Sequence, residues 1–178
     1  MKYKIHLDTD EINNLIEELN YYKDSLIPKC QLFVQKLADV GIKTAKANTG
    51  EYGSLIVFSK EVDPTEYGCK AIMIATDGQK IIREWKYHGS TKTAEVSPIL
   101  MAEFGSGWHA ENLDGVEGVG QGTFPDQTHA FDPHGWWWTD TNGEHHHSTG
   151  EAPTFPMHSA SLAMIFEMQS IAEEVFNG

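Results

Sequence analysis

The sequence predicts an α+β domain, and three observations point there. Apolar residues recur at helical spacing near the amino terminus, at Ile12, Leu15, Ile16, Leu19 and Tyr22, and again near the carboxyl terminus, at Met164, Met168, Ile171 and Val175. Short β-branched and apolar runs punctuated by turn-forming residues lie between them, as in antiparallel strands. At 178 residues, 40% of them hydrophobic, the chain is long enough for one packed core. The expected order is an N-terminal strand and long amphipathic helix, a small antiparallel sheet, a glycine- and aromatic-rich loop with a hairpin, and a C-terminal helix. Residues 1–178 are expected to form a single structural domain with an acidic loop insertion at about 108–133.

Each element has its own signal. Tyr3, Ile5 and Leu7 alternate with Lys4 and His6, which predicts a short strand. Asp8 with Glu11 reads as a capping-box-like start for the first helix. Pro28 should break or kink that helix, because proline lacks the amide hydrogen and crowds the preceding turn. A second helical piece carries Leu32, Phe33, Leu37 and Val40 and is expected to end at Gly41. Lys43–Gly53 reads as a loop and Ser54–Ser59 as a strand. Cys69–Thr76 and Gln79–Tyr87 flank Asp77-Gly78, which suits a type I′ hairpin turn. Ser97-Pro98 supplies a capping residue and a first-turn proline for a short helix through Phe104, and Gly105 can end it. A second hairpin is expected from Trp136–Asp140 and His145–Thr149, turned around Asn142-Gly143. Pro153 and Pro156 lead into a last helix, about Met157 to Phe176. Leu162 and Phe166 add a second apolar stripe to it, so it should pack both on its own core and on something else.

Charge is divided unevenly. All 13 Lys and Arg lie at or before Lys92, where 13 Asp and Glu balance them. The net charge of −13 therefore belongs to residues 93–178. Such a surface repels nucleic-acid phosphate and acidic membranes. It suits a basic protein partner, a passage through which DNA slides without sticking, or simple solubilisation. No apolar stretch approaches the length of a membrane span or a signal peptide, so a soluble protein made in the cytoplasm is expected. Cys30 and Cys69 lack metal-site or disulfide-framework spacing and read as reduced thiols.

Residues 105–156 hold nine glycines, four of the five tryptophans and six of the nine histidines. A two-residue loop at Asn142-Gly143 would put Asp140 opposite His145 and Trp138 opposite His147. Asp140, His145 and His147 would then share one face, a set able to hold Zn²⁺ or Fe²⁺. Exposed imidazoles or a histidine ladder at a subunit contact explain the same residues. His109, His129, His134 and His158 add no recognisable ligand spacing. Glu103 could be a general base if buried, but a carboxylate there more often caps a neighbouring loop or pairs with a cation. The glycines at 115, 118, 120 and 122 do not open a helix after a strand, so no phosphate cradle is expected. Trp136-Trp137-Trp138 could stack on a sugar, yet Trp137 faces opposite to the other two, which suits burial between two surfaces better. The residues alone thus leave open a metal-dependent enzyme and a carbohydrate-binding module beside a self-assembling structural protein, the reading they favour.

Four segments carry a resemblance. They are the strand and long helix over residues 3–40, the step Asn48-Thr49-Gly50, the run Ser97-Pro98-Ile99-Leu100-Met101-Ala102-Glu103-Phe104-Gly105-Ser106-Gly107, and Gly150-Glu151-Ala152-Pro153-Thr154-Phe155-Pro156-Met157. Together they resemble the neck and tail-completion proteins of long-tailed bacteriophages and prophages. That family has a short helix ending in Glu-Phe-Gly-Thr-Gly and a Gly-x-x-Pro-x-x-Pro-Phe lead-in to its last helix. Ser106 stands here for the usual Thr, Met157 for the usual Phe, and the insertion at about 108–133 is extra. The resemblance implies a virion structural protein of the head–tail junction, made in the bacterial host cytoplasm. It implies a self-assembled ring, most often a hexamer, that contacts the tail terminator, tail tube or head connector proteins. DNA would only pass through the channel, and no membrane is involved. It carries over no catalytic residue, cofactor or metal.

Overall fold

The computed structural model describes residues 9–65, 68–115 and 132–177. The expected strand at Tyr3–Leu7 and the capping role of Asp8 lie outside these residues. The architecture is α+β, as the sequence predicts, with two small antiparallel sheets instead of one. Helix α1 spans Thr9–Ala47 and is followed by a 3₁₀ segment, Gly50–Leu55. Strands β1 (Ile56–Thr65) and β2 (Gly68–Asp77) pair with each other and, among the described residues, with no other strand. Strands β3 (Ile81–Tyr87), β4 (Ser90–Val96), β5 (Trp136–Thr139) and β6 (His145–Ser148) form the second sheet, ordered β4-β3-β5-β6. Between β4 and β5 lie the short helix α2 (Pro98–Phe104) and a 3₁₀ turn, Gly107–His109. Helix α3 spans Pro156–Asn177.

Two expectations for α1 are corrected. Pro28 does not end the helix, which runs on through it. The lost hydrogen bond and steric crowding, about 3 kcal/mol in an exposed helix, are offset by packing of the following turns. Gly41 is not a terminator either. It is buried in mid-helix, where a Cβ would sit 2.9 Å from the Met164 sulfur and 3.0 Å from that of Met73. With buried Ala38 and Ala45 it forms a small-residue face that lets α1 approach α3 on one side and β2 on the other. The expected loop from Lys43 is accordingly helical to Ala47, and its end is the 3₁₀ segment.

Helices α1 and α3 run antiparallel. Gly41 meets Met164, Lys36 Nζ lies 2.7 Å from Glu174, and the Phe33 and Phe176 rings are 5.8 Å apart. Lys60 of β1 reaches Asp39 at 2.5 Å and ties the first sheet to α1. The main core lies where the two sheets and α2 meet, with Tyr52, Ile56, Val96, Met101 and Ala102 buried together.

The Asp77-Gly78 hairpin is the third correction. These residues cross from one sheet to the other, and β2 and β3 do not pair. The amides of Gly78 and Gln79 donate to the Leu55 carbonyl at 2.8 and 3.3 Å. The Asp77 carboxylate accepts from Ser97 Oγ at 2.8 Å and from the Ile99 amide at 3.2 Å, so it caps α2 instead of shaping a turn. Strand β3 turns instead into β4 through His88-Gly89, both residues at positive φ as a type I′ loop requires.

Candidate functional site

Helix α2 starts as its sequence dictates. Ser97 Oγ accepts the Leu100 amide at 3.3 Å, Pro98 occupies the first turn, and Gly105 at φ 64° ends the helix. Gly105 is required twice over. Its left-handed conformation disfavours a side chain, and a Cβ would strike the Glu151 carbonyl and sit 2.8 Å from the Pro153 nitrogen.

That close approach lets the chain after α2 pair with the chain before α3. The Ser106 amide donates to the Glu151 carbonyl at 2.8 Å, and the Glu151 amide returns to Ser106 at 3.2 Å. Trp108 donates to Thr149 at 2.9 Å, while Thr154 and Phe155 both donate to Ala102 at 2.8 and 3.0 Å. Glu103 completes the junction. It is 6% exposed, and its carboxylate accepts the Met157 amide at 2.6 Å and the His158 amide at 2.9 Å. These are first-turn amides of α3, without partners inside the helix. Glu103 therefore caps α3 from another element, and both carboxylate oxygens are engaged. The capping reading of this residue holds.

A third segment joins them. Thr49 is buried, and a Cβ on Gly50 would sit 3.2 Å from the Thr154 methyl group. Tyr52 Oη donates a short hydrogen bond to the Glu151 carboxylate, whose other oxygen lies 3.7 Å from Arg83. Burial, followed by the hydrogen bond to Glu151, pushes the Tyr52 phenol well above its usual range. Sequence reasoning did not single out Tyr52, and it read Asp77 as a turn residue and Glu151 only as part of the run before α3, since nothing local marks a partner so far along the chain.

The second hairpin forms where expected but one residue out of the assumed register. Thr139 pairs with His145, Trp138 with His146 and Trp137 with His147. Because strand side chains alternate, one step exchanges the faces. Asp140, His145 and His147 do not come together. His145 Nδ1 lies 3.0 Å from Thr139 Oγ1, and His147 Nε2 lies 2.7 Å from the His134 carbonyl. Asp140 instead meets His146 at 3.3 Å, and with Glu144 these three offer nitrogen and oxygen atoms within 4.8 Å of one another. Oδ1 of Asp140 is already held by the amides of Asn142 and Glu144 at 2.9 and 2.8 Å. These bonds, led by that of Glu144, hold the Asp140 carboxyl below its usual range. The slip follows from a loop that is five residues long, closed by Asp140 and Glu144 backbone contacts.

The tryptophans point to both faces. Trp137 lies against His147 with ring centroids 4.9 Å apart, and Trp138 stacks on His146 at 4.6 Å. Trp136 faces the junction, close against Gly107, and Trp137 is largely exposed. His109 lies 3.2 Å from Thr149 Oγ1 and His158 pairs with Asp114 at 2.7 Å; His129 and the glycines at 118, 120 and 122 lie outside the described residues. Cys30 and Cys69 are free thiols.

Helix α3 turns Ala160, Ile171 and Val175 inward while Leu162, Ile165 and Phe166 remain exposed, Phe166 at 84%. Met168, on the same apolar stripe as Ile171 and Val175, is 46% exposed. Among the described residues no helix is long and apolar enough to cross a membrane. No family model matches the chain, and no curated protein or solved structure gives a significant match.

Proposed function

We propose that this chain is a virion structural protein of the phage head–tail junction, a neck or tail-completion subunit that assembles into a ring joining tail to capsid connector. The observation that carries the reading is the convergence of three of the four resembling segments. Thr49-Gly50, Glu103-Phe104-Gly105 and Gly150–Met157 lie far apart in sequence and interlock at one junction. Their residues are engaged in backbone pairing and helix capping. Such a role suits a scaffold that must hold α3 at a fixed angle. The apolar outer face of α3 adds a surface suited to a protein partner. By resemblance, that partner is a second copy in a ring, most often a hexamer, or a tail terminator, tail tube or connector protein.

Deletion of the gene from its phage or prophage tests the proposal. The expected result is DNA-filled heads and separate tails that remain unjoined, restored by the protein in trans. Joined, infectious particles from the deletion strain would overturn it. In the alternative metal-enzyme reading, Asp140, Glu144 and His146 replace the expected set as the group able to gather around an ion. Metal analysis of untagged protein decides between the two.

A further inference from the structure

The amino-terminal part of α1 is an arm whose apolar stripe stays exposed. Over residues 9–24 every side chain is exposed except Leu15, which is half-buried. Ile12, Leu15, Ile16 and Leu19 nonetheless form one stripe at i, i+3, i+4 and i+7, the spacing by which a helix lies in an apolar groove. A stripe of this kind on an isolated helical extension gains nothing from water, and a short helix without tertiary packing is marginal.

The same chain carries a matching groove. At the far end of α1, Val40, Thr44 and Ala47 face Leu162, Ile165 and Phe166 of α3 across an open channel of about 890 Å³. The arm cannot reach its own groove. Ile16 and Thr44 stand on one helix, separated by about 42 Å at 1.5 Å per residue. Proline kinks are on the order of 20–30°, whereas folding back would require the helix to reverse. Charge supports a match between copies. Beside the stripe the arm carries Glu17, Glu18 and Asp24 against Lys23. Lys43 lines the groove, Lys46 lies on the next turn of the same helix, and neither makes an ion pair among the described residues. Glu167, also lining the groove, complements Lys23.

We infer that the α1 arm of one copy seats in the α1–α3 groove of the next, a head-to-tail contact between unlike surfaces that repeats around a closed assembly. Such contacts generate rings when the rotation closes. The inference deepens the self-assembly reading above and rests on it only for the identity of the partner.

Two double variants of the full chain test it, Ile16→Asp with Leu19→Asp on the arm and Ile165→Asp with Phe166→Asp in the groove. By light scattering the unaltered protein is expected to be oligomeric and each variant monomeric. Mixed together they should form a 1:1 heterodimer and stop there, because the pair has one intact arm and one intact groove that face each other. A wild type that stays monomeric at high concentration would overturn the inference, and would point to another protein, or to residues 1–8 or 116–131, as the cover. A groove variant that keeps the wild-type mass would also overturn it, as would a mixture without heterodimer. If circular dichroism shows either variant unfolded, cross-linking decides. A Leu19→Cys copy should form a disulfide with an Ile165→Cys copy in a background where Cys30 and Cys69 are Ser, and failure to do so counts against the contact. These readouts use purified protein alone, so a failed head–tail joining test leaves them standing, and a neck protein assembling by another surface fails here only.

Discussion

The buried carboxylate of Glu103 holds the first turn of α3, accepting the amide of Met157, a residue 54 positions further along the chain. A helix is normally capped from its own preceding residue. Here the residue before α3 is Phe155, at φ 53°, whose side chain offers no oxygen. A distant acid takes the role, and its negative charge sits where the helix dipole is positive.

Replacement of Glu103 by Ala should therefore cost more than a surface cap. Two half-buried amides lose their acceptor and a charge-assisted interaction disappears, which together are worth about 2–3 kcal/mol. The melting temperature should fall by roughly 5–10 °C for a chain of this size. Gln keeps one acceptor oxygen and should recover about half. Urea unfolding of the three proteins checks the order, and equal stability of wild type and Ala would show that water substitutes for the carboxylate.

The Tyr52–Glu151 contact predicts an alkaline effect. The folded pKa of the phenol lies above its ordinary value near 10, chiefly through burial. The stabilisation it brings is complete below that value and declines as pH rises past it, because the unfolded chain releases the proton first. Tyr52→Phe should cost about 1–2 kcal/mol at pH 8, allowing for the partial exposure of Glu151. The difference from wild type should narrow between pH 9 and 11, and a gap that stays constant would assign the effect to packing alone.

Much of this framework was legible locally. The helix start at Ser97-Pro98 and its stop at Gly105 depend on a few adjacent residues, and the two-sided character of α3 shows in its periodicity. What failed depended on partners far along the chain. Asp77-Gly78 has the composition of a hairpin turn, but Ser97 and Leu55 compete for its side chain and amides and win. Gly41 has the composition of a helix end, but only the proximity of Met73 and Met164 explains why it lies within one. The metal set was lost by a single step of register, since one pairing decides which histidines accompany Asp140. Glu103 was recognisable as a capping or pairing acid, though its partner was not.

Gly41 supports a prediction in which two terms oppose. Ala favours the helix over Gly by about 1 kcal/mol. Its methyl group would press on the Met164 and Met73 sulfurs at about 3 Å, but methionine side chains rearrange readily. Gly41→Ala should thus change stability by less than about 1 kcal/mol. Gly41→Val adds two methyl groups that cannot be accommodated by rotamer changes alone, and should destabilise by about 2–3 kcal/mol. Thermal melts of the pair check this, and a tolerated Val would mean that α1 and α3 can separate at little cost.

The hairpin loop around Asp140 should loosen in acid. Hydrogen bonds from the Glu144 and Asn142 amides, with His146 nearby, favour the ionised carboxylate and lower its pKa in the folded state. Their contribution is present above the ordinary carboxyl pKa of about 3.9 and is lost as pH falls through the lower folded value. The amide proton of Glu144 should shift in NMR spectra across that acidic window. In Asp140→Asn the side-chain oxygen can still accept from both amides, so the loop should persist while the titration of this signal disappears. In Asp140→Ala both should go, and Trp138 should lose its fixed stacking on His146, 4.6 Å away, because the His146 ring is positioned through its Nε2, 3.3 Å from Asp140. A Glu144 signal that titrates unchanged in the Asn variant would place the responsible proton on another group.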